Sequence, residues 1–196
     1  MGQYFCQGFK NKDKIFTSAR KVNVDNYEGA KLMEHSWIHN WFMDSVANYI
    51  FNNPTNILWC GDYADEDDEL KNITGNDIEY KNIWGDDKDI VNPFVFDLCK
   101  RFDYSGTYLV NHTKKVCISF DDYIKESTVK PSWSDHELCI NPISILTAVG
   151  NGRGGGDYAG INEDLVGAWA WDLISIEGEA PKDYTITKVS FVEHNG

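Results

Sequence analysis

Two segments of the 196-residue chain concentrate groups able to bind or steer charge. The run Asp65-Glu66-Asp67-Asp68-Glu69, preceded by Asp62, sets carboxylates side by side. Such a cluster suits either a divalent cation or a basic protein surface. As an EF-hand loop it fails, because Leu70 stands where the sixth position needs Gly and Asn76 where the twelfth needs Glu. The metal reading therefore gives way to a partner-binding one, with Asp62, Asp65, Glu66, Asp67, Asp68 and Glu69 as contact residues. Trp84, inside the same acidic stretch, is either an exposed anchor for that partner or a pin holding the stretch to the body of the domain.

The second segment is Gly150-Asn151-Gly152-Arg153-Gly154-Gly155-Gly156-Asp157-Tyr158. Glycine reaches positive φ at little cost, which lets neighbouring N–H groups converge on an anion, and Arg153 adds a planar fork for phosphate or carboxylate. Asn151, Gly152, Arg153, Gly154, Gly155 and Asp157 are thus the candidate residues for a small phosphorylated ligand. Neither nucleotide motif fits. The GK[ST] ending of a phosphate loop is missing, and the bare GxGxxG spacing from Gly150 to Gly155 follows a predicted helix, where a dinucleotide fold needs a strand. A structural crossing, with the glycines making room for Trp169 or Trp171, explains the same residues.

Other chemistry finds little support. His35 and His39 are four apart, but Ser36 follows His35, so the zinc motif HExxH is absent. No GxSxG nucleophile turn occurs. The five cysteines, at positions 6, 60, 99, 117 and 139, are scattered and never form CxxC, which predicts small core residues and neither a zinc site nor a disulfide framework. No catalytic residue, metal or cofactor is expected.

Charge is unevenly placed. Of the formal net charge of −13, a net −9 lies between Asp62 and Asp97, where twelve acids face Lys71, Lys81 and Lys88. That field disfavours direct contact with nucleic acid, whose phosphates need Lys or Arg to displace counterions. No apolar run is long enough for a membrane span, and the first residues lack the pattern of a secretory signal. A cytoplasmic location is expected, with no membrane partner.

The elements that must position these groups follow from periodicity. Gln3–Phe9 and Ile15–Thr17 predict a hairpin. Ile38, Trp41, Phe42, Val46, Tyr49 and Ile50 recur at helical spacing and predict one main amphipathic helix over about 38–51, capped by Ser36, with Trp41 facing inward. Asn56–Gly61 reads as a buried strand, and 62–92 as a long acidic surface excursion with at most a turn or two of helix. A second hairpin joins Thr107–His112 to Val116–Phe120. Pro142–Val149 predicts a short helix, while Val166–Ile176 and Tyr184–Val192 predict closing strands. Strands arriving in hairpins indicate a single α+β domain, 1–196, with a largely antiparallel sheet.

Several strings occur together: Leu32–Trp37 (LMEHSW), Trp59–Asp65 (WCGDYAD), Tyr108–Lys115 (YLVNHTKK), Leu146–Tyr158 (LTAVGNGRGGGDY) and Val166–Ala170 (VGAWA). In these strings the chain resembles a group of uncharacterised bacterial and phage-type proteins across most of its length. The resemblance implies a prokaryotic or phage setting and carries no activity, cofactor or site residue. Two functions are expected in turn: a non-catalytic acidic protein engaging a basic protein surface, as a nucleic-acid mimic or counter-defence inhibitor, or else a binding protein or enzyme holding a phosphate or nucleotide ligand in the loop from Gly150 to Asp157.

Overall fold

A computed structural model describes residues 4–11, 14–16, 31–32, 36–64, 69–75, 83–84, 100–132, 134–150 and 158–192. Its strands are β1 (Phe5–Asn11), β2 (Lys14–Phe16), β3 (Thr55–Gly61), β4 (Tyr108–Asn111), β5 (Val116–Ser119), β6 (Ala148–Val149), β7 (Leu173–Glu177) and β8 (Thr185–Ile186). They form one mixed sheet in the order β2-β1-β3-β7-β4-β5-β8, with β6 paired to β3 off this path. Only the β3–β6 and β5–β8 pairs are parallel, so the largely antiparallel α+β fold expected from the hairpins is the one observed.

The helices are α1 (Trp41–Ile50), α2 (Glu69–Thr74), α3 (Phe120–Ser127) and α4 (Pro142–Leu146). Helix α1 begins later than 38 because His39 takes a left-handed φ of 67° and the next residue, Asn40, is extended. Asn40, not Ser36, is the cap: its side chain accepts from the Phe42 amide at 2.9 Å. Asn52 (φ 54°) and then Pro54 prevent continuation beyond Phe51. The buried stripe is Phe42, Met43, Val46, Ala47 and Ile50. Trp41 lies on the opposite side and is 40% exposed, correcting the inward placement expected of it.

Two further expectations change. The helix beginning at Pro142 stops at Leu146, and Ala148–Val149 instead pair in parallel with Trp59–Cys60 of β3. The run Val166–Ile176 is strand only from Leu173, because Gly167 (φ 76°) and Trp171 (φ 63°) turn the backbone left-handed before it. At Gly167 a side chain is also sterically barred, since a Cβ would stand 2.3 Å from the Ala148 carbonyl oxygen. Helix α3 was not expected. Its signal is present in Ser119, whose hydroxyl accepts from the Asp122 amide at 3.3 Å, with Asp121 and Asp122 in the first turn and Lys125 in the last.

The larger core cluster brings Phe5, Phe9, Ile57, Trp59, Leu109, Ile118, Ile174 and Ile176 of the sheet together with α1, Tyr123 of α3 and Ile143, Ile145 and Leu146 of α4. A second cluster holds Cys6, Leu58, Cys60 and Val149 from β1, β3 and β6, residues that alternate with those of the first and so point to the other face. Ala64, Leu70, Ile83 and Trp171 close over it. Among the described residues no helix is long and apolar enough to cross a membrane.

Candidate binding surface and the polar clusters of the sheet

The acidic stretch starts from a fixed point. As β3 ends, the Asp62 amide donates to the Tyr4 carbonyl at 2.8 Å and the Asp62 carboxylate accepts from the Tyr4 amide at 3.1 Å, clasping the start of β1. Beyond it, Ala64, Leu70 and Ile83 are buried in the second cluster, with Ile73 and Trp84 packed against it. Trp84 is half-buried and packs against that cluster. Helix α2 carries Leu70 inward while Lys71 is exposed, and it closes with the Gly75 amide donating to the Lys71 carbonyl at 2.8 Å, where Gly75 is left-handed. Glu69 opens this helix. Asp65, Glu66, Asp67 and Asp68 lie outside the described residues, as do the acids from Asp77 to Asp97.

The glycine-rich loop residues Asn151, Gly152, Arg153, Gly154, Gly155 and Asp157 also lie outside them. Their flanks are placed. Val149 is held on β6 in the second cluster, and the Tyr158 hydroxyl sits 2.6 Å from the Ile161 carbonyl oxygen and 2.9 Å from that of Val192. Val149 shares that cluster with Ala64, Leu70 and Ile83 of the acidic stretch.

Two polar clusters that the sequence did not single out are built by the fold. The first joins His112, just beyond β4, to Ser175 and Glu177 of β7 and to Tyr184. In the β4–β7 register Val110 faces Ser175 and Tyr108 faces Glu177, which places the β7 side chains beside His112. Ser175 Oγ is 2.9 Å from Glu177 Oε1 and 2.8 Å from His112 Nε2, and His112 Nδ1 is 3.1 Å from the Tyr184 hydroxyl. An ionised Glu177 only accepts, so Ser175 donates to it and then accepts Nε2–H; in a neutral ring Nδ1 accepts from Tyr184. The donors run in one direction from tyrosine through histidine and serine to carboxylate. That order is not a nucleophilic triad, in which the carboxylate holds the imidazole nitrogen remote from the serine. Here Glu177 is on the serine side, 3.4 Å from Nε2, and Ser175 has no exposed surface. Ser175 is therefore not presented as a nucleophile.

The same region ties down the β4–β5 turn. Asn111 Nδ2 donates to Asp172 Oδ2 at 2.7 Å, Lys114 pairs with the same carboxylate, and the Leu173 amide donates to Thr113 Oγ1 at 3.0 Å. On the neighbouring Cys117, burial and then the charge of Glu177 push the thiol pKa up.

The second cluster surrounds Asp44, which is fully buried in the first turn of α1. Its Oδ2 lies 3.4 Å from Arg101 Nη1, and Oδ1 lies 3.9 Å from His39 Nδ1. Arg101 also donates to the His39 carbonyl, so one exposed guanidinium bridges the carboxylate and the left-handed residue before the cap. Behind Asp44 the buried Tyr104 hydroxyl accepts from Asn141 Nδ2 at 3.2 Å. Burial first, and the charge of Asp44 next, hold the Tyr104 hydroxyl well above its ordinary pKa. A buried carboxylate is tolerated only with such compensation, so Arg101 and His39 position α1 against the segment that follows Lys100.

No protein-family model, no curated protein and no solved structure matches the chain. The functional reading therefore rests on charge, packing and geometry.

Proposed function

We propose that this chain is a non-catalytic acidic binding protein whose segment from Asp62 to Asp97 engages a basic protein surface, acting as a nucleic-acid mimic or counter-defence inhibitor in a bacterial or phage cytoplasm. The observation that carries the reading is the net −9 of that segment, set on a chain stretch whose apolar residues Leu70 and Ile83 are buried against the second face of the sheet. A charged run without anchors would lose its freedom on binding, and that cost would subtract from affinity. Apolar anchors within the run reduce it. Concentrated negative charge also speeds encounter with a cationic partner and repels nucleic acid itself.

Binding to a panel of purified basic DNA-binding proteins, titrated across salt concentration, tests the proposal. The native chain should bind at least one of them with an affinity that falls steeply as salt rises, and reversing Asp65, Asp67 and Asp68 to Lys should weaken binding by on the order of 100-fold. Binding that ignores both salt and the triple reversal would remove the reading. A rise in Tm with added nucleotide that disappears in Arg153→Ala would replace it with the ligand-loop function.

A further inference from the structure

Several buried polar side chains find partners within the fold. Ser127 Oγ accepts from the Phe191 amide, Thr147 Oγ1 donates to the Ile143 carbonyl, Ser144 Oγ to that of Asn141, and Asn141 Nδ2 to the Tyr104 hydroxyl. One register pair departs from this pattern. Gln7 of β1 stands directly opposite Trp59 of β3, and neither residue has exposed surface. Gln7 Oε1, Gln7 Nε2 and Trp59 Nε1 have no hydrogen-bond partner among the described residues. A carboxamide oxygen and an indole N–H are acceptor and donor, yet these two do not bond to each other. The peptide pattern shows how close their side chains start. The Asp62 amide donates to the Tyr4 carbonyl, whereas the Trp59 amide donates to Thr147 and the Ile57 carbonyl accepts from Trp171, so 57 and 59 turn their peptide groups away from β1. Hydrogen-bonded pairs recur at every second residue, which leaves Gln7–Trp59 as a non-hydrogen-bonded pair, the kind with Cα atoms about 4.5 Å apart and side chains closer together. Both side chains point to the first face, where Phe5, Phe9 and Ile57 flank them and the Phe42 ring of α1 lies 6.1 Å from that of Trp59. These neighbours are hydrocarbon and offer the three polar atoms no bond.

We propose that Gln7 and Trp59 form an internal water-binding site between the first strand and the central strand. A water molecule there accepts from Trp59 Nε1–H and donates to Gln7 Oε1, and it keeps a hydrogen and a lone pair for the further bond that buried waters usually make. A buried donor or acceptor without a partner bears the whole cost of leaving solvent. A bridging water restores the bond and costs only its own immobilisation. The surroundings select a small neutral molecule. A charged ligand would have to shed its hydration among Phe5, Phe9 and Ile57, which supply no counter-charge, and a larger neutral one would have to displace the close-packed rings themselves. The site also pins the register of β1. A slip by one residue would turn Gln7 to the second face and part its carboxamide from the indole. The assignment rests on register and on the unpartnered atoms, and stands or falls separately from the partner-binding reading.

The test is water-selective NOE and ROE spectroscopy on the isotope-labelled full-length chain. The indole N–H proton of Trp59 and the side-chain amide protons of Gln7 should show cross-peaks at the water frequency that have the sign of the diagonal in the NOE spectrum and the opposite sign in the ROE spectrum. That reversal marks a water molecule tumbling with the protein, whereas exchange of the N–H protons with solvent keeps one sign in both. Gln7→Met, similar in length and without the carboxamide, should lower the amplitude of the solvent's water-oxygen relaxation dispersion relative to the native chain. No water cross-peak at the Trp59 indole, cross-peaks of the exchange kind alone, or an unchanged dispersion amplitude in folded Gln7→Met would overturn the assignment. Because the spectra are taken on the native sequence, they decide the matter even where the variant does not fold.

Discussion

The two faces of the sheet are closed by opposite kinds of sequence. The first is covered by α1 and α4, segments whose apolar residues follow helical spacing and whose ends are capped by Asn40 and Asn141. The second is covered by the most acidic stretch of the chain, through a few apolar residues set among carboxylates: Ala64, Leu70, Ile83 and the half-buried Trp84. On the first face many side chains share the burial, and each loss is buffered only by how far its neighbours relax. On the second, a small number of anchors hold a segment that net repulsion pushes outward. The difference suggests that a protein can carry a dense negative surface at modest cost when each cluster of charge is interrupted by one residue that belongs to a core.

The comparison can be tested by removing one anchor from each side. Trp59, without exposed surface and with its ring 6.1 Å from Phe42, is the largest fully buried side chain of the first face. Trp59→Ala is expected to cost about 3–5 kcal/mol in urea denaturation, with the whole sheet responding as one transition. Leu70→Ala on the second face is expected to cost less, about 2–3 kcal/mol, and its effect should be eased by added salt, which screens the repulsion the anchor resists. Equal salt response in the two variants would erase the distinction between the faces.

The smallest effect concerns pH. Burial raises the pKa of the Cys139 thiol from 9.0 to about 12, and it holds the Tyr104 and Tyr123 hydroxyls well above their ordinary 10.0. Each folded-state value lies above the unfolded one, so stability is full below about pH 9 and declines above it as the unfolded chain gives up protons that the folded chain keeps. At pH 10 Cys139 alone should remove about 1.4 kcal/mol; the tyrosines, half-ionised in the unfolded chain at that pH, add to the loss there and add more as pH rises further. Tyrosinate absorbance from Tyr104 and Tyr123 should therefore rise together with unfolding, not before it.

What the sequence disclosed was local. The hairpins, the strand through Trp59 and the helix ending before Pro54 are legible because alternation, helical spacing and turn residues are written within a dozen positions. Two of the departures, at Ala148–Val149 and at Trp41, have causes outside the periodic pattern. Ala148 and Val149 continue an apolar run that suits a helix, and leave it because β3 offers a parallel partner. Trp41 matches the helical period yet faces out, because the start of α1 is fixed by the backbone at His39 and Asn40. Of the candidate site, the charge imbalance was legible by counting, but the division of 62–84 into anchors and carboxylates was not, since Leu70 and Ile73 make a single helical step, too short to mark a buried face. His112, the Ser175–Glu177 pair and Tyr184 come from three separate places in the chain; the β4–β7 register brings the first two together, and the Tyr184 hydroxyl meets the ring of His112. The facing of Gln7 and Trp59 is likewise a property of register.

The brevity of β8 has a consequence for how the molecule behaves in crowded solution. Among the described strands it forms one border of the sheet, with two residues, Thr185 and Ile186, both exposed. A border that short offers an incoming strand too few backbone groups to template chain-on-chain growth, even though Ile186 is 55% exposed. Lys182, Asp183 and Lys188 flank it as gatekeepers, all exposed. Lengthening this border by replacing its neighbours with β-branched residues would be the direct way to make the protein aggregate.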